Sequence, residues 1–401
     1  MRRLMPAALA TIFAVVPLFP SFIALTAVGF PGISLIPRPA ALAVLALCAL
    51  LGCYAIGMLL RYRARGSQPL LVPLLGVFGA GVLAGLTGFD PAAGMLFTGI
   101  GGLGILWHCS VVRFYGDRGA AGAIYASFLS TGAIAAAAAI AMVALRRPAL
   151  QYALQHGRAT GTFVLPGELA GFLIVLLPIA VACGCVAEGR RLRTLGWCTL
   201  ALGLVALALT YSRAGWMGFA AAFAFLFALR TRHGAGGAAA VILGGIVAVL
   251  FLFNAHHDPS EDYTRLSIWQ ASAQIVDRFP LTGVGPFNFS RLYAVVRAPD
   301  ADATAFHAHS LYLTFFAEFG LLGLAAVGWT LWRFVHELRR RIRKAEPRAA
   351  FLASCVAAGL VGVAVQGLID TVTVVIFGLW MPMMGLALAS TGVDSGTRVD
   401  A

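Results

Sequence analysis

Twelve apolar runs follow one another along the chain, at 5–28, 39–60, 69–87, 91–112, 121–145, 164–187, 194–211, 214–230, 237–253, 309–332, 349–370 and 372–390. Most are about as long as a helix that crosses the ~30 Å hydrocarbon layer of a bilayer. The pattern predicts an all-α polytopic membrane protein of about twelve transmembrane helices, with residues 1–401 forming a single integral membrane domain. Glycine and proline loosen the pattern between Gly76 and Met95, and the last two runs also read as one re-entrant hairpin around Asp370. The first run follows Met1-Arg2-Arg3 and is too long for a signal-peptide core, so it reads as an uncleaved span.

One long polar interruption breaks the pattern, at 254–308, between the ninth and tenth runs. Within it, Leu266, Trp269, Ala273, Val276 and Phe279 recur at helical spacing and predict an amphipathic helix. Asp262 reads as its N-cap, which puts Arg265 in the first turn, where the helix dipole disfavours a cation and an anionic ligand would relieve the conflict. Pro280-Leu281-Thr282-Gly283-Val284-Gly285-Pro286 ends that helix as a tight turn and fixes it against the helix after the loop. Its Gly-x-Gly lacks the βαβ setting of a dinucleotide site.

Composition agrees: 60% of the 401 residues are hydrophobic and 11% are charged. The formal net charge of +13 would suggest nucleic acid in a soluble protein, but here the excess is what orients the helices. With the N-terminus in the cytoplasm, about 20 of the 29 lysines and arginines fall in cytoplasmic loops, including 339–344 and Arg191, and the long loop is periplasmic. Arg38, Arg146, Arg147, Arg158, Arg213, Arg265, Arg278, Arg291 and Arg297 lie on the other side, where orientation does not require them. The seven cysteines all sit in apolar runs with neither disulfide nor zinc spacing, and read as small buried hydrophobes. The tail after Thr391 is short and polar and reads as disordered.

Three segments could carry chemistry. Tyr211-Ser212-Arg213 joins two runs with almost no loop, so Arg213 is either an interfacial arginine or an anion ligand. Arg265 is either solvated on a membrane-surface helix or a phosphate ligand. His309, in Phe306-His307-Ala308-His309-Ser310, is placed in the first turn of the tenth run and can act as a general base. His307 is spaced to point elsewhere, and no carboxylate accompanies the pair as a third zinc ligand. Asp258, Glu261, Asp262, Asp277, Asp300 and Asp302 form no nucleotide-sugar motif, and Asp300 and Asp302 read as solvated.

The segments 160–178 (TGTFVLPGELAGFLIVLLP), 211–216 (YSRAGW), 264–289 and 307–324 (HAHSLYLTFFAEFGLLGL), taken in that order, resemble the O-antigen ligase/polymerase superfamily over roughly residues 160–330. The sequence departs from that pattern at Pro166-Gly167-Glu168, where Pro-Asn is usual. The resemblance implies a GT-C-like, metal-independent, inverting glycosyltransferase without a cofactor. It would act at the periplasmic face of the bacterial inner membrane. Its donor would be an undecaprenyl-pyrophosphate-linked O-antigen, and its acceptor a sugar hydroxyl of lipid A–core, with membrane lipids as the surroundings. On this expectation His309 is the base, Arg265 and Arg213 hold the pyrophosphate, and Arg147 and Arg158 assist. An O-antigen polymerase would use the same donor. A transporter of anionic lipid or solute is the alternative of a different class, although no internal repeat or broken midplane helix supports it.

Overall fold

The computed structural model describes residues 4–18, 38–62, 68–117, 119–230, 234–256, 259–299, 301–303, 305, 307–370 and 378–392. Every predicted run contains a helix: α1 (Met5–Leu18), α2 (Arg38–Arg61), α3 (Leu71–Thr87), α4 (Pro91–Phe114) and α5 (Ala120–Leu145). After the short α6 (Ala149–Leu154) come α7 (Pro166–Val186), α8 (Arg190–Leu209), α9 (Arg213–Arg230) and α10 (Gly234–His256). The polar interruption holds α11 (Pro259–Arg278) and α12 (Phe289–Val296), and the chain closes with α13 (Leu311–Ile342), α14 (Pro347–Gln366) and α15 (Trp380–Ala389). No strand occurs among the described residues.

Six of these helices, α4, α5, α7, α8, α13 and α14, are long and apolar enough to cross a membrane. The helices at the other six runs have shorter apolar stretches among the described residues, so length and composition identify six of the twelve expected crossings there. The second half of the first run, the apex of the expected hairpin at 371–377 and most of the tail lie outside the described residues. So do Arg63, Arg65, Arg118, Arg232, Asp258 and Asp300, together with the side chains of Arg38, Cys48, Arg230 and Glu261.

The bundle is built around α7, which is buried over 83% of its most apolar stretch and packs against α8, α9 and α14. Pro166 starts α7 at a position where a missing N–H costs nothing. Glu168 then reaches back to accept hydrogen bonds from the N–H groups of Val164 (3.2 Å) and Leu165 (3.4 Å). Leu165 has no side-chain oxygen to return the bond, so this end of α7 is capped from one side only.

The long loop is fastened to the bundle where α13 breaks. Gly320 has φ 62° and ψ −167°, a region open only to glycine, and the break frees backbone groups on both sides. The turn after α11 takes them up: Val284 N–H donates to Ala317 O (2.9 Å) and Gly285 N–H to Glu318 O (3.0 Å). In return, Leu321 N–H donates to Pro280 O (2.8 Å) and Leu322 N–H to Leu281 O (3.1 Å). A Cβ at Gly320 would run into the Leu281 carbonyl, and one at Gly283, itself at φ 69°, into the Glu318 backbone. The other side of the turn receives Phe89 N–H on Val284 O (2.9 Å), and Asp90 pairs with Arg291. The turn thus fixes α11 against the helix after the loop, as its composition predicts.

Two expectations for α11 are corrected. Proline starts the helix at 259, so Asp262 lies inside it rather than capping it, and Arg265 falls in the second turn, beyond the strongest part of the dipole. The buried face is Ile268, Ala271, Ser272 and Ile275, facing α12 and α13, while Leu266, Ala273 and Phe279 are exposed. In a membrane setting an apolar stripe can face outward, so composition alone does not tell the protein side of a helix from the lipid side.

Candidate functional site

The corner between α8 and α9 is as tight as expected. Thr210 ends α8, Tyr211 takes a left-handed backbone (φ 48°), and the Ser212 hydroxyl accepts from Gly215 N–H (3.0 Å) as the cap of α9. Arg213 is therefore the first residue of α9, held at the rim of the bundle by a corner with no slack. The segment before α7 docks on the same corner: Ala159 N–H donates to Leu209 O (2.9 Å) and Arg158 Nε to Thr210 O (3.0 Å).

His309 is presented in a comparable way. It has a left-handed backbone (φ 46°) two residues before α13, outside the helix in which the sequence placed it, because Ser310 is the N-cap and accepts from Leu313 N–H (3.5 Å). Trp269 of α11 donates its indole N–H to Ala308 O (2.9 Å), and Leu311 N–H bonds Gly367 O (2.8 Å) and Asp370 O (3.1 Å) just past α14. Two elements thus clamp the residues on either side of His309, and backbone strain of this kind at a clamped polar residue marks a candidate site. His307 is buried behind it, accepts from His309 N–H at Nδ1 (3.2 Å), and packs edge-to-face on its ring at 4.4 Å.

These elements enclose a polar cavity of about 330 Å³. From the segment before α7 and the start of α7 come Gln155, Arg158, Pro166, Gly167 and Glu168. The α8–α9 corner gives Tyr211, Ser212 and Arg213, and α11 gives Ser260, Thr264 and Arg265. Asp302 and His309 come from the end of the loop, and Ile369 and Asp370 from beyond α14. Four of the five residues predicted from sequence, Arg158, Arg213, Arg265 and His309, therefore share one cavity. Arg147 does not line it and is exposed at the corner between α5 and α6. Arg191 lies in the first turn of α8, the end remote from the cavity, some 30 Å away along a 20-residue helix.

The cavity is not simply cationic. Asp262 stands between two of its arginines, 3.4 Å from Arg213 and 3.8 Å from Arg265. Asp302, which the sequence suggested was solvated, is a lining residue, because the loop folds back and Tyr293 donates its hydroxyl to Asp302 O (2.8 Å). Glu168 and Asp370 were not singled out as site residues; the departure at Pro166-Gly167-Glu168 and an acid between two apolar runs were their signals. Gly167 makes room for Asp370, since a Cβ there would collide with the Asp370 carboxylate. Among the described residues no three His, Cys, Asp or Glu side chains are placed to hold a metal ion.

The histidines are uncharged at neutral pH. Burial, then the Arg265 guanidinium, together hold His309 down at about 4 against the opposing pull of Asp302. Burial, followed by the neighbouring His309, holds His307 well below its ordinary value. An unprotonated imidazole beside guanidinium groups can accept a proton from a hydroxyl while the arginines bind an anion.

Residues 198–328 match the O-antigen ligase family model. The match runs from α8 into α13 and bears out the resemblance read from the sequence. It takes in Arg213, Arg265 and His309, whereas Arg158, Glu168 and Asp370, which complete the walls of the cavity, lie outside it. No curated protein matches the chain. The apolar helices suggest a multi-pass membrane protein, and its residues 198–328 are similar to the O-antigen ligase family.

Proposed function

We propose that the protein is an O-antigen ligase that moves a glycan from undecaprenyl pyrophosphate to a sugar hydroxyl of lipid A–core, at the periplasmic face of the bacterial inner membrane. The observation that carries this reading is the meeting of Arg158, Arg213, Arg265 and uncharged His309 in one cavity, from four separate segments of the chain, of which residues 198–328 match the O-antigen ligase family model. The twelve-span, GT-C-like architecture belongs to the same proposal.

The reaction needs a base for the acceptor and positive charge for the leaving group. His309 takes the acceptor O–H proton as that oxygen attacks the anomeric carbon. The bond from that carbon to the phosphate oxygen breaks, and undecaprenyl pyrophosphate leaves carrying the electron pair. A single displacement inverts the anomeric centre. Arg213 and Arg265 bind the pyrophosphate and stabilise its developing charge, the work a metal ion does in other phosphate sites, with Arg158 at the third wall. Arg147, exposed at the α5–α6 corner outside the cavity, is left out of this step. A pyrophosphate seated against Arg265 offsets the cation that depresses His309, so donor binding itself makes the imidazole a stronger base.

The test combines purified protein, undecaprenyl-pyrophosphate-linked glycan and lipid A–core in EDTA, comparing wild type with His309→Ala. Capped core formed by the wild type alone is the expected result. Longer glycan on the carrier without capped core would replace the ligase reading with a polymerase, and neither product would remove glycosyl transfer altogether.

A further inference from the structure

At the end of α13 remote from the cavity, the helix carries two distinct faces. Phe334, Glu337, Leu338 and Arg341 are buried, while Trp332, Val335, His336, Arg339, Arg340 and Arg343 are exposed at the complementary three- and four-residue spacings, followed by Lys344. Glu337 is turned inward, where it accepts from Arg341 Nε (2.6 Å) and from Arg340 (2.7 Å). Arg339, Arg343 and Lys344 make no ion pair among the described residues, including with nearby Glu346. The exposed side chains surround a groove of about 450 Å³.

The order of residues along this face matches the layers of a membrane surface. Beyond the break at Gly320 the helix is uninterrupted, so at about 1.5 Å per residue His336 lies about 6 Å, and Arg343 about 16 Å, past Trp332 along it. An exposed tryptophan between apolar and basic residues marks a membrane interface, with exposed Trp329 and Leu331 on the apolar side. His336 and then the arginines follow into the headgroup layer, where guanidinium forks bind phosphate in pairs of hydrogen bonds. Orientation by positive charge requires only that cations lie in this loop. It does not require them on one face, above an exposed tryptophan, with Glu337 of the same helix turned inward.

We infer that this face of α13 is a binding site for an anionic phospholipid of the leaflet opposite the cavity, its phosphodiester held by Arg339, Arg343 and Lys344 and its acyl chains lying against Trp332. The site is independent of the chemistry proposed for the cavity.

The full chain is reconstituted in phosphatidylcholine nanodiscs containing increasing fractions of phosphatidylglycerol, with bromine on the acyl chains of one lipid or the other. Tryptophan quenching is read, and the component lost in Trp332→Phe isolates this site. Brominated phosphatidylglycerol should quench that component at a mole fraction at least about five-fold lower than brominated phosphatidylcholine does, about the effect of one cation on an anionic surface. The preference should vanish in the double variant R339Q/R343Q, survive in Arg343→Lys, and persist in millimolar inorganic phosphate. Equal quenching of that component by the two lipids would overturn the inference. So would a preference that survives in a folded double variant, or one that free phosphate abolishes.

Discussion

Arg265→Gln tests the two roles given to the cavity at once. Glutamine keeps much of the length of the side chain and its ability to donate hydrogen bonds, but removes the charge. Loss of one preorganised donor to a developing anion costs about 10²–10³ in turnover. The second effect concerns His309, which Arg265 helps to depress. The two residues line one cavity, so their charges are roughly 6–12 Å apart, and at an effective dielectric of about 20 they repel by about 1.4–2.8 kcal/mol. Removing that repulsion raises the His309 pKa by about one to two units from its value near 4, with burial still holding it below 6.5. The acid limb of kcat/KM, which reports the free enzyme, should move to higher pH by that amount. Initial rates of core capping between pH 4 and 8, on variant protein that still inserts and elutes as a single species, give both numbers. Wild-type turnover would remove Arg265 from the pyrophosphate. A slower variant with an unmoved acid limb would show that Arg265 and His309 do not act on one reacting centre.

Gly320→Ala should separate the loop from α13, since the new Cβ meets the Leu281 carbonyl and the backbone strain alone is worth about 1–3 kcal/mol; loss of capping with a lowered melting temperature is expected, and an unchanged melting temperature would contradict the splice. Gly167→Ala should push the Asp370 carboxylate from its place and reduce capping with little change in expression; wild-type rates would mean that the position of Asp370 is immaterial. Arg147→Gln, exposed and outside the cavity, should leave capping within about two-fold of wild type, and a larger loss would extend the site to the α5–α6 corner. Both loop histidines bind protons less readily folded than unfolded, so the loop is most stable above about pH 6.5 and weakens as pH falls toward about 4. Amide exchange at Leu311 to Leu313 should quicken over that interval, and a flat profile would show that the histidines are not buried in solution.

The helices were legible because a membrane imposes one rule on every span, and the rule is written in single residues. Arg213 and His309 were legible because each is a polar residue at a junction, where nothing apolar competes for the reading. The other walls of the cavity were harder to see. Glu168 and Asp370 are just over two hundred positions apart and line one cavity only because α14 packs along α7. An acid next to an apolar run reads as an end of that run, not as the wall of a cavity formed by another helix. The apolar stripe of α11 did not say which side faces the protein: Ile268 and Ile275 make the contact with Val276 packed beside them, while Leu266 and Phe279 point outward. Arg147 shows the limit of side-counting, which can say on which face an arginine lies but not how far it is from the others.

Asp262 gives the cavity a property that three arginines alone would not have. Two of the guanidiniums already share a carboxylate, so an incoming pyrophosphate displaces one anion by another instead of meeting bare charge. Such an exchange discriminates by valence: a monovalent ion gains little over the resident carboxylate, whereas a pyrophosphate brings more charge than Asp262 can offer. The occupied and vacant states then differ less in net charge, and donor affinity should vary less with ionic strength than the number of arginines suggests. On the proposed reaction, the carboxylate is at hand to reclaim its partners when the carrier departs, so that product release would return the site to a neutralised state instead of exposing a charged one.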